Sequence, residues 1–188
     1  LTSAGIVSTA GGIVIESGGT LTAQGALTAA GDVALGGTIA AQDALGITGA
    51  LRIERDGALY TGSGTAAVAG NVTNDGTITL SGGDTTFSAA LINNGTLTVE
   101  SSTASADSGT LTVAGDVTNS GTITLSSGNT TLSAALVNNG AFTAGTGALT
   151  LAGAYAGTGG ALTASSGTTL FGADADFSGT DFSANGGT

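Results

Sequence analysis

The chain has 188 residues with 35 Gly, no Pro, Cys, Met, Trp or His, and a formal net charge of −11. Without Cys or His it offers no disulfide, no thiolate, none of the usual zinc or haem ligands, and no Ser-His-Asp or Cys-His nucleophile; no cofactor is expected. Arg52 and Arg55 are its only cations, which leaves almost nothing for a nucleic-acid backbone to bind. Charged residues are 8% and apolar residues 40%, so a folded glycine-rich chain is expected rather than a disordered one. No 18-residue apolar run offers a membrane-spanning helix.

Residues 1–18 are apolar and glycine-rich, and the spacing predicts an incomplete first coil here. They lack the basic start of a signal peptide, so the chain is expected to be processed or to be a piece of a longer one. From Gly19 onward a phrase recurs, G-T-(L/I)-T, opening at Gly19, Gly37, Gly57, Gly76, Gly95, Gly121, Gly140 and Gly160, with a degenerate copy at Gly179. Successive differences are 18, 20, 19, 19, 26, 19, 20 and 19 residues. "TNDGTITLSGGDTTFSAALINNG" at 73–95 returns 45 residues later as "TNSGTITLSSGNTTLSAALVNNG", which is two units, 19 plus 26. The longer unit places an inserted loop at 100–109.

Columns within the unit define its strands. Two residues after the glycine stand Leu21, Ile39, Leu59, Ile78, Leu97, Ile123, Phe142 and Leu162. Four before it stand Ile15, Val33, Ile53, Val72, Leu91, Val117 and Leu136, and a third apolar site follows in "TTFSA", "TTLSA" and "GALTL". Their neighbours are mostly Thr, Ser, Asn or Ala, the period-two pattern of a strand with one buried face. Each unit therefore predicts three short strands between Gly, Asn and Asp turns. One unit cannot bury its apolar face, but stacked units can. The expected fold is all-β: one parallel β-solenoid domain over 1–188, a three-sided β-helix of about nine coils of 18–20 residues with one longer coil. Right-handed winding is expected from the crossover rule, and a rod roughly 40 Å long from the strand spacing.

Asn74, Asn93, Asn119 and Asn138 fall two residues before the glycine and should stack at one corner. There they can take left-handed turn geometry or bond one another as an amide ladder. "RIERD" at 52–56 is the single charged cluster; Arg52 and Glu54 should point outward together, to pair with each other or to meet an acidic sugar. Asp32, Asp43, Asp75, Asp84 and Asp116 are scattered, unlike the paired carboxylates of a glycosidase. Thr20/Thr22, Thr77/Thr79, Thr96/Thr98 and Thr122/Thr124 should line one outer face. "NVT", "NGT" and "NTT" fit the N-glycosylation pattern, and "TGSGTAA" and "GTGG" read as turns rather than phosphate loops. At the C-terminus, 171–188 breaks the columns and reads as a distorted last coil or cap, with Phe171, Phe177 and Phe182 over the core end. Asp181 falls where earlier units hold Leu or Ile; Asp174, Asp176 and Asp181 are weak candidates for a Ca²⁺ site.

"GDVTNSGTITL", "ALINNGTLTVE" and "ALVNNGAFTAG" resemble the repeats of filamentous-haemagglutinin-like proteins of two-partner secretion and of autotransporter passenger domains. The resemblance runs from Gly19 to about Ala164. It implies an extracellular, non-enzymatic β-helical shaft or fibre subunit of a bacterial surface adhesin or biofilm filament. The partner it implies is a host or cell-surface ligand.

Two other functions are weighed against it. The Thr-x-Thr rows resemble the ice-binding face of some antifreeze proteins, and β-helix folds include carbohydrate-active enzymes. The apolar, Pro-free and Lys-free start also leaves an open strand edge. That edge is expected to meet further coils of a longer chain, a separate cap, or another copy stacked head to tail.

Overall fold

The computed structural model describes residues 1–100 and 109–185. Among the described residues every regular element is a strand, 28 of them, each of two to five residues. They are dealt in turn to three parallel sheets: Thr2–Ser3 to the first, Val7–Thr9 to the second, Ile13–Ile15 to the third, Thr20–Ala23 to the first again, and so on to Asp181–Ala184. The sheets hold ten, nine and nine strands, each strand paired with its counterpart one coil away. The fold is thus a three-sheet parallel β-solenoid of about nine coils. Residues 1–18 supply a strand to every sheet. No helix of the described residues is long and apolar enough to cross a membrane.

Alternation sets the faces. In Thr77–Ser81, Ile78 and Leu80 are buried while Thr77, Thr79 and Ser81 are half-buried on the outer side. Leu21, Ile39, Leu59, Ile78, Leu97, Ile123, Phe142 and Leu162 pair in one unbroken register, and none is more than 4% exposed. Fully burying each such side chain contributes about 1.5–3 kcal/mol, but only when coils lie on both sides. Stability therefore comes from the stack and not from the single coil.

The glycine that opens each phrase is required by close approach. A Cβ on Gly121 would run into the Gly95 carbonyl oxygen, one on Gly140 into that of Gly121, and one on Gly160 into that of Gly140. Left-handed backbone belongs elsewhere. Among the described residues it occurs only at Gly18, Gly82, Gly128 and Gly159, with φ of 76°, 102°, 90° and 146°.

Residues 101–108, the body of the inserted loop expected at 100–109, lie outside the described residues. The coils flanking them keep register: Leu97 pairs with Ile123, Thr85 with Leu111, and Asn93 with Asn119.

The last coil corrects the spacing. Asp181 pairs with Ala161 in the outward row, and Phe182 pairs with Leu162. Thr180, not Gly179, therefore stands where earlier coils have their glycine. A one-residue slip turns every side chain to the other face, and this register puts a ring rather than a carboxylate on the inward side. Tyr155, Phe171, Phe177 and Phe182 then pack as a cluster, with ring centroids 5.0 to 5.9 Å apart.

Candidate functional site

The third sheet carries the polar feature of the core. Val72 and Asn74 lie inward on either side of Thr73, and the same holds for Leu91 and Asn93, Val117 and Asn119, and Leu136 and Asn138. All four asparagines are fully buried. The Asn74 amide donates to Asn93 Oδ1 at 2.7 Å, Asn93 to Asn119 at 2.8 Å, and Asn119 to Asn138 at 2.8 Å. Each of the four amides also donates to a backbone carbonyl at the start of a first-sheet strand: Thr96, Thr122, Ala141 and Ala161, at 2.9 to 3.1 Å. The ladder is built in strand conformation, so the left-handed turn expected as one option does not occur at these asparagines. Ile15, Leu35 and Ile53 occupy the same column below, and Gly157 above. At the lower junction Asn74 Oδ1 is buried without a partner.

Aspartate and asparagine also brace the corners, in alternate coils. From Val33 to Leu136 the residue just before each third-sheet strand is Asp32, Ala50, Asn71, Ala90, Asp116 and Ala135 in turn; outside that stretch the alternation lapses, with Gly12 before Ile13, Ala154 before Tyr155 and Asp174 before Ala175. Asp32 Oδ1 accepts from the Ala50 N–H at 2.8 Å, Asn71 from Ala90 at 3.3 Å, and Asp116 from Ala135 at 3.1 Å. Before the second-sheet strands, Asp84 Oδ1 accepts from the Thr110 N–H and hydroxyl at 3.2 and 2.8 Å, and Asn129 from Ala148 at 3.1 Å. An acceptor in one coil thus serves an otherwise unpaired backbone donor in the next. Across residues 71–148 these acceptors recur every two coils, in step with the 45-residue echo of the sequence.

Both arginines lie at the corner leading from the third sheet to the first. Arg52 projects outward beside Thr73, and its Nη2 stands 3.4 Å from Asp75 Oδ2. Asn94 donates to the other oxygen of Asp75 at 2.8 Å. Arg52 and Glu54 do face outward together, but the ion pair formed is with Asp75, which the next coil brings alongside. Exposed as it is, that pair contributes under about 1 kcal/mol. Arg52, Glu54, Arg55, Asp75 and Asn94 line a recess of about 640 Å³. Among the described residues Arg55 makes no ion pair.

The first sheet's outer face carries the threonine rows. Thr79, Thr98, Thr124, Thr143 and Thr163 follow one another without a break. The neighbouring row runs Thr77, Thr96, Thr122 and then Ala141. Below them Tyr60 and Ala40 interrupt the long row, Tyr60 lying beside Thr79 and Ala40 beside Tyr60.

The three C-terminal aspartates do not converge. The Asp174 carbonyl accepts from Tyr155 N–H, and Asp181 sits on the outer face of the first sheet. Asp176 Oδ1 accepts from the Ser178 N–H at 2.8 Å, and that bond, with the Ser178 side chain, holds its carboxyl below the usual range. Among the described residues no three acidic side chains are grouped closely enough to hold a metal ion. The bracing role of the corner acceptors is not evident from the sequence, where Asp32, Asp84 and Asp116 stand as scattered carboxylates, although the Asx/Ala alternation from 32 to 135 carries the signal.

A family model described as the haemagglutinin repeat matches residues 1–45, 35–121 and 121–188. No curated protein and no solved structure matches the chain.

Proposed function

Because the chain belongs to the haemagglutinin repeat family, we propose that it is a non-enzymatic, rod-shaped segment of a bacterial surface adhesin, extracellular in use. The supporting observation is the uninterrupted register of the first sheet from Leu21 to Leu162, apolar inside and threonine-rich outside. Such a stack is stiff along its axis, and it presents a long regular surface built from short turns. The corner carboxylates Asp32, Asp84 and Asp116 are engaged with backbone donors, which favours a bracing role for them over acid–base work. The test is attachment. Microspheres coated with the chain should adhere to erythrocytes or epithelial cells above an albumin coating, and equal attachment would overturn the adhesive reading.

A second reading, ice binding, is favoured by the run of Thr79, Thr98, Thr124, Thr143 and Thr163 at one-coil spacing. Freezing-point hysteresis that is lost in Thr124→Leu would support it. No hysteresis in the unaltered chain would remove it.

A further inference from the structure

The chain's only two arginines and its one exposed tyrosine fall within one short stretch of sequence, 52–60. The chain has two cations and two tyrosines. Both arginines line the recess at the corner between the third and first sheets. One tyrosine, Tyr155, is buried. The other, Tyr60, stands 44% exposed in the strand Ala58–Thr61, just beyond the turn that carries Arg55. Nothing in the stacking calls for these side chains, since the equivalent outward positions in other coils hold Thr, Ala or Ile.

We propose that this corner is a binding site for a neutral glycan. The inference rests on the adhesive reading above and names the ligand class of that activity. Sugar hydroxyls both donate and accept. Glu54 and Asp75 supply acceptors, and Arg52, Arg55 and Asn94 supply donors. Arg55 makes no ion pair among the described residues, so its donor fork is available. Tyr60 is outside the recess lining, five residues along the chain from Arg55 on the outer face of the following strand, and offers an exposed ring against which the C–H face of a further sugar unit of an oligosaccharide can lie.

Charge selects among candidate ligands. Two guanidinium groups are balanced by two carboxylates in the recess, and the chain as a whole carries −11. A polyanion, whether nucleic acid or sulfated polysaccharide, meets no net attraction here. A peptide would need an apolar groove or a free strand edge, and the recess is lined by charged and amide side chains.

The experiment pairs a glycan array with the cell-attachment assay, using the full chain. The array carries glucose-, galactose- and N-acetylhexosamine-terminated oligosaccharides beside sialylated and sulfated ones. The variants are Arg55→Ala and Tyr60→Thr, the latter extending the threonine row, with Thr131→Ala on the second sheet as a control. Circular dichroism confirms the fold. We expect binding to neutral members, reduced at least tenfold by Arg55→Ala and by Tyr60→Thr and unchanged by Thr131→Ala. Binding only to anionic members, no binding on the array, or binding indifferent to both variants overturns the site. Attachment of coated microspheres to cells that survives both variants would leave the adhesive reading standing while the site falls. Array binding lost in the variants, with no cell attachment, would keep the site and remove the adhesive reading.

Discussion

Asn93 and Asn119 are 26 residues apart, yet the Asn93 amide donates to Asn119 Oδ1 at 2.8 Å. Asn74 and Asn93, only 19 apart, are joined at 2.7 Å. The ladder is therefore indifferent to the extra residues between its rungs, because the register is held by sheets on both sides of it.

A middle rung and an end rung should differ when replaced. Asn93→Ile strips partners from Asn74 Nδ2 and Asn119 Oδ1, both buried, and is expected to cost about 2–4 kcal/mol. Asn74→Ile removes an oxygen that already lacks a partner and moves the unpaired end of the ladder up to Asn93 Oδ1, releasing the Thr96 carbonyl as well, while it extends the Ile15–Leu35–Ile53 column, so the number of unpaired side-chain oxygens is unchanged. It is expected to change stability by no more than about 1 kcal/mol. Urea melts of the two variants provide the comparison; equal losses would mean that the ladder carries no cooperative bonding.

Glycines in the sheet corners and on the strand faces should respond oppositely to a side chain. Gly121→Ala forces a methyl against the Gly95 carbonyl and is expected to destabilise by about 1–3 kcal/mol. At Gly46, mid-strand and facing outward, an added Cβ meets only the Thr28 methyl at 3.6 Å. Gly46→Thr should therefore be neutral or stabilising by up to about 1 kcal/mol, through better strand propensity. Thermal midpoints of the two variants decide the matter.

The coil period, the three strands per coil and the inward aliphatic columns are legible in the sequence because stacking demands the same residue type at the same place in every coil. The asparagine column is legible for the same reason, but its direction is less so. Turn-forming and inward-bonding asparagines look alike until Val72 and Asn74 are seen to share one parity. The final coil misleads for a physical reason: Gly179 sits near its expected spacing, while the chain follows Phe182 inward and leaves Thr180 at the glycine's place. Asp181 moves to the outer face with it. The pairing of Arg52 with Glu54, one of the two expectations for that cluster, gives way to Asp75, because a contact between coils spans 23 residues of sequence. The corner acceptors are hard to read because they recur in every second coil and over only part of the chain.

At the corners, hydrogen bonding and charge can be separated. Asp116→Ala leaves the Ala135 N–H without its acceptor and is expected to cost about 0.5–1.5 kcal/mol. Asp116→Asn reproduces what Asn71 does at the same corner, and should stay within about 0.5 kcal/mol of the parent. Equal losses in Asp116→Asn and Asp116→Ala in equilibrium unfolding would show that charge, not the acceptor, matters there.

The 188-residue chain in isolation should associate end to end. Leu1 is 84% and Ile6 74% exposed at the first coil, and an unpaired strand edge recruits another strand. Negative-stain microscopy across a concentration series should show unbranched filaments that lengthen with concentration. Single rods at every concentration would show that the edges do not pair.

The alternation of acceptor and alanine from Asp32 to Ala135 restricts how that stretch of the rod can change in length. Removing one coil there brings two acceptors, or two alanines, to successive coils at the same corner. Removing or inserting two coils restores the alternation, and alters the reach of the rod by about 9.6 Å. Beyond Ala135 the next residue of the column is Ala154, and the restriction is lifted. Within the braced stretch the heritable unit of length is twice the structural repeat, and above it a single coil suffices.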